Sequence, residues 1–182
     1  MIMKCFFPYL RHVYILLFAM LPVMGLAADI DRFLGTYSGT AEFLYEGKNE
    51  HRDMSATIEP TKKGFSLTWT SVTYKSDGRK KEKTYTIEFV PSDRANIYGS
   101  AMKNNVFGKA VPLNPLAGEP YVWARIEDDT FTVFSLFINE AGDYEMQEYH
   151  RTLAEGGLDL VFRRSAHHLP EKEIKAFLKR VE

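Results

Sequence analysis

Residues 65–74, FSLTWTSVTY, and residues 83–90, KTYTIEFV, decide the fold of this chain. In the first run Phe65, Leu67 and Trp69 fall on one face. In the second, Tyr85, Ile87 and Phe89 oppose Thr84, Thr86 and Glu88. Alternation with period two, carried by β-branched and aromatic residues, is the signature of a half-buried strand. The same reading extends to residues 36–45, 52–59, 121–127, 130–138, 144–153 and 158–164, with a short run at 96–102. The breaks between them are rich in Gly, Asn and Asp: Gly47-Lys48-Asn49, Lys62-Lys63-Gly64, Ser76-Asp77-Gly78, Asp128-Asp129, Ala141-Gly142-Asp143 and Gly156-Gly157. Such residues tolerate turn dihedrals, so hairpins in series are expected. Eight or nine strands in a meander leave a hazardous edge unless the sheet closes. The fold class is therefore all-β, an antiparallel up-and-down barrel.

Two stretches depart from the alternation. Residues 91–120 hold the run at 96–102 and then a long segment with Asn104, Asn105, Gly108, Pro112, Asn114, Pro115 and Gly118. A connection of that length is commonly functional or mobile; a lid over the barrel mouth and a packed Ω-loop are the two readings. Its Val106, Phe107, Val111, Leu113 and Leu116 predict that it folds back onto apolar surface. At the end of the chain, Ile174, Phe177, Leu178 and Val181 recur at i, i+3, i+4, i+7. With Pro170 and Glu171 early and Lys179 and Arg180 late, this predicts a helix over 170–181, docked outside the barrel.

Residues 1–28 read as an export signal. Lys4 and Arg11 form a basic start, residues 13–24 an apolar core broken by Pro22, and Gly25-Leu26-Ala27-Ala28 a small-residue exit. The expected mature domain is 29–182, periplasmic or secreted. Cys5, the single cysteine, lies before the apolar core, so neither a lipid anchor nor a disulfide is expected downstream. Net charge is −1 for the whole chain and becomes −3 without Lys4 and Arg11, which argues against a nucleic-acid partner. The dense basic run Arg79-Lys80-Lys81-Glu82-Lys83 reads as a solvated loop, with contact to an anionic envelope surface as the sharper alternative.

Phe33-Leu34-Gly35-Thr36-Tyr37 enters the first strand directly after the expected cleavage point. It resembles the opening of the calycin superfamily, the lipocalins and fatty-acid-binding proteins, where a Gly-x-Trp motif closes one barrel end; Tyr37 stands at the Trp position. The resemblance implies a basic residue of the last strand over that ring, a role for Arg163 or Arg164, with a helix following. It also implies a carboxylate grip from an Arg and a Tyr two apart on a late strand. Tyr149 and Arg151 stand in that relation, in the reverse order.

Residues two apart on a strand share a side. Tyr149 with Arg151, and Tyr121, Trp123 and Arg125, thus form the candidate polar set, with Trp69 and Trp123 as aromatic lining beside Phe131, Phe134 and Phe137. A buried guanidinium needs an anionic partner, and a carboxylate or phosphate suits it bidentately. The competing reading pairs Arg125 and Arg151 with Glu127, Glu145 or Glu148 on the exterior. His51, His150 and the pair His167-His168 have no strong metal spacing, and neither metal nor cofactor is expected. No nucleophile or phosphate-cradling motif is present. The expected function is binding of a small apolar or amphipathic molecule, the Arg–Tyr pair favouring an anionic one. A filled barrel that recognises a protein or polymer of the envelope is the alternative, and an enzyme using the cavity ranks last.

Overall fold

A meander of strands ends in two rows of unpaired backbone groups, and closure removes both. In a computed structural model, which describes residues 29–45, 48–74, 78–100, 103–104, 110–111, 113–167 and 169–181, this is how the chain solves the problem. The strands are β1 (Gly35–Tyr45), β2 (Lys48–Pro60), β3 (Phe65–Tyr74), β4 (Lys80–Pro91), β5 (Ile97–Ser100), β6 (Lys103–Asn104), β7 (Ala110–Val111), β8 (Tyr121–Glu127), β9 (Thr130–Ile138), β10 (Tyr144–Ala154), β11 (Gly157–Ala166) and β12 (Leu169–Arg180). Ten of them close in the order β1-β12-β11-β10-β9-β8-β5-β4-β3-β2, every neighbouring pair antiparallel, while β6 and β7 form a separate two-stranded ribbon. The barrel is thus up-and-down, with ten strands where eight or nine were expected.

The extra strand is the expected helix. Residues 169–180 are extended, with Ile174 and Leu178 buried, Lys172 and Ala176 half-buried on the same face, and Phe177 and Val181 exposed. Period two over Lys172, Ile174, Ala176 and Leu178 prevails over the 3.6-residue stripe. The reason is tertiary: β12 pairs with β11 from Leu169 to Lys179 and meets β1 at Tyr37↔Arg180 and Ser38↔Lys179, which covers two edges that a helix would leave open. At that seam a side chain on Gly39 would overlap the Phe177 carbonyl, so only a residue without Cβ admits β12 this closely.

One end of the barrel is filled. The 3-10 turn Asp29–Phe33 inserts Ile30 and Phe33 under Tyr37, Phe65, Phe89, Tyr98 and Phe131. The rings meet at 5.1–6.4 Å, mostly edge to face. Arg32 pairs with Asp129 and ties the plug to the β8–β9 hairpin. Tyr37 donates from its hydroxyl to the Phe33 carbonyl (2.9 Å), and Arg180 Nη2 donates to the Leu34 carbonyl (2.6 Å) and to that same hydroxyl (2.7 Å). The Arg180 guanidinium lies 5.2 Å above the Tyr37 ring. The basic residue that packs over Tyr37 is therefore Arg180 of β12. Arg163 points outward and pairs with Glu173 at 3.0 Å, and Arg164 lies at the opposite end of the barrel.

The basic run at Lys80–Lys83 belongs to β4 and is not a loop. Leu116, expected to fold back, is 82% exposed, and Leu113 is half-buried. Val106 and Phe107, together with the expected export signal at 1–28, His168 and part of the turn at 76–77, lie outside the described residues.

Candidate functional site

Above the aromatic floor the barrel interior is not filled. It holds a cavity of about 580 Å³, within the range of small-molecule sites. The alternation of each strand decides which side chains reach it. On β10 the inward residues are Glu145, Gln147, Tyr149 and Arg151. They form a ladder from rim to floor. Gln147 Nε2 donates to Glu145 Oε1 at 2.5 Å, and the Tyr149 hydroxyl donates to Gln147 Oε1 at 2.9 Å. Arg151 Nη1 makes a long contact of 3.4 Å to the Tyr149 carbonyl.

Arg151 is 2% exposed, and its Nε has no hydrogen-bond partner. Its guanidinium lies 5.8 Å from the Phe131 ring centre and 5.7 Å from that of Tyr149. Ring faces of this kind support a cation only modestly. Among the described residues no carboxylate pairs with it. Desolvation therefore lowers its pKa from 12.5 to about 10, partly opposed by the Tyr149 phenol. It still carries its charge at neutral pH. Burial pushes Tyr149 up to about 12, with Arg151 and Arg52 acting against that rise. Its hydroxyl remains a proton donor under all physiological conditions.

The aromatic waist of the cavity is made by Trp69, Tyr85, Tyr149 and Phe162. Trp69 stacks on Tyr85 at 5.3 Å, Trp69 meets Tyr149 at 6.0 Å, and Tyr149 meets Phe162 at 4.9 Å. Three of the five candidate residues, Tyr149, Arg151 and Trp69, thus line one space. The other two do not. Val122, Ala124 and Ile126 take the inward positions of β8, which puts Trp123 and Arg125 on the outside. There Trp123 stacks on Phe134 at 5.0 Å and 11°, and Arg125 pairs with Glu127 at 2.8 Å. The shared side of Tyr121, Trp123 and Arg125 was legible; core packing of Val122, Ala124 and Ile126 makes it the outer one. Phe137 reaches the cavity and Phe134 does not.

Several lining residues escaped the sequence reading. Gln147 and Glu145 continue the parity of Tyr149 and Arg151, so the signal for them was present. Arg52, Arg164 and Lys172 gather at the rim from β2, β11 and β12. Nothing local marks them, because strand closure alone brings those positions together.

Among solved structures, the chain is similar to Rv2717c from M. tuberculosis, with a TM-score of 0.50 and 12% identity over 84% of this chain and 95% of that one. A likeness at that identity speaks for the barrel alone. No protein-family model matches the chain, and no curated protein matches it.

Proposed function

We propose that this protein is a calycin-like binding protein that holds a small amphipathic molecule by an anionic group, a carboxylate or phosphate seated on Arg151. The observation that carries the reading is a fully buried guanidinium, without an acidic partner among the described residues, on the wall of a cavity wide enough for a ligand. Burying a cation without a counter-charge costs several kcal/mol. A ligand anion supplies that counter-charge, with Tyr149 as a second donor. Trp69, Tyr85 and Phe162 then cover the apolar part. Export to the periplasm or outside the cell belongs to the same proposal, through the signal-like residues 1–28.

Native mass spectrometry of protein purified from its own host, followed by organic extraction, tests this directly. The expected result is a stoichiometric small acid that is lost in Arg151→Met. Recovery of ligand-free protein that binds no fatty acid in calorimetry, at any concentration in the soluble range, would sink the proposal.

A further inference from the structure

The cavity has a second cationic zone, remote from Arg151. Arg164 faces Lys172 across β11–β12 and Gln147 across β10–β11. Gln147 is four residues along β10 from Arg151, a separation of about 13 Å at strand rise. Arg52, paired with Ala41, completes the group from β2. Arg52 and Lys172 share the Phe43 ring, at 5.1 and 4.6 Å. The Nε atoms of both Arg52 and Arg164 are buried and have no hydrogen-bond partner. Burial, and then Arg52, lower the Lys172 pKa, while Glu50 acts the other way. Lys83 adds to the positive wall; among the described lining residues Glu145 is the single carboxylate, and Gln147 donates to its Oε1. The cavity is thus strongly cationic in a chain whose net charge is −1.

We infer that the ligand carries two anionic groups, one at each end of an apolar body. Arg151 holds the inner one, and Arg52, Arg164 and Lys172 hold the outer one at the rim. This rests on the binding reading above and specifies its ligand class. Like charges brought together at the rim repel one another, and each arginine retains a donor with no acceptor. A second carboxylate or phosphate at the rim relieves both penalties; a monoanionic amphiphile whose single anion sits on Arg151 leaves both in place.

Laurate and dodecanedioate, which share a chain length and differ by one carboxylate, separate the possibilities in calorimetric titration. Without a rim site the diacid should bind more weakly, because its second carboxylate must leave water. The expected result is the reverse, dodecanedioate about tenfold or more tighter, as one to two charge-assisted hydrogen bonds imply. Succinate, too short to reach both zones, should show no such gain. The double variant Arg52→Gln/Arg164→Gln, with folding checked by circular dichroism, should remove the preference for the diacid, weakening dodecanedioate about tenfold more than laurate. Equal or weaker binding of the diacid by the wild type overturns the inference while the binding reading stands; no binding of either acid overturns both. A double variant that loses affinity for phosphatidylglycerol vesicles, yet keeps its preference for the diacid, also overturns it and assigns the rim to a membrane surface.

Discussion

Arg151 makes the ligand-free protein less stable than it would otherwise be. A lowering from 12.5 to about 10 corresponds to a folding cost on the order of 3 kcal/mol. The folded pKa lies below the unfolded one, so the cost is complete at any pH below about 10. Arg151→Met, which keeps the length and removes the charge, should therefore raise the melting temperature of ligand-free protein at neutral pH while abolishing acid binding. Scanning calorimetry checks the first and titration the second; a lower melting temperature would mean that Arg151 is a structural partner instead. Tyr37 behaves oppositely. Its hydroxyl serves the Phe33 carbonyl and Arg180 together, so Tyr37→Phe leaves that carbonyl without its donor, removes one of the two acceptors of Arg180, and should cost about 1–3 kcal/mol in urea unfolding. Both residues were singled out from sequence, by a two-residue spacing and by a Gly-x-aromatic step. The environment that sets the sign of each effect was not visible there.

At the scale of elements, β12 separates local preference from tertiary demand. Glu, Lys, Ala and Leu favour a helix, and the stripe of Ile174, Phe177, Leu178 and Val181 has the right spacing for one. The alternate set Lys172, Ile174, Ala176 and Leu178 satisfies period two as well, and backbone pairing to β1 and β11 decides between the two. The two structures make different mutational predictions. As a strand, Ile174→Ala trims a buried side chain from the cavity wall and should cost about 2–5 kcal/mol. Val181→Ser, on a residue 53% exposed, should stay within about 0.5 kcal/mol. A docked helix would make both costly, so denaturant melts of the pair discriminate. The β8 face shows the same division. Alternation grouped Trp123 with Arg125, but only the packing of Val122, Ala124 and Ile126 against the core assigns that group to the exterior.

Over the whole molecule, polar pins lace the outer wall across neighbouring strands. Asp53 of β2 accepts from Tyr74 of β3 (2.6 Å) and Thr40 of β1 (3.1 Å). The Tyr74 hydroxyl, with help from Thr40 and His51, holds its carboxyl below 3.8, and Lys175 and Arg163 hold that of Glu173 below 4.5. Folded values below unfolded ones stabilise above the unfolded pKa and are lost as pH falls through the folded value. The melting temperature should fall on acidification below about pH 4, and Asp53→Asn with Glu173→Gln should flatten that limb. An unchanged slope in the double variant would assign the acid sensitivity elsewhere. Sequence by itself determined nine of the ten barrel strands, their hairpin order and the closed antiparallel class, because alternation and turn chemistry act over a few residues. It also marked Tyr149, Arg151 and Trp69, because residues two apart must share a face. Only the tertiary structure made a strand of residues 169–180 and placed Arg180 over Tyr37. It alone turned Trp123 and Arg125 outward and gathered Arg52, Arg164 and Lys172 at one rim. Those outcomes depend on contacts between strands far apart in the chain, where closing the barrel outweighs every local preference.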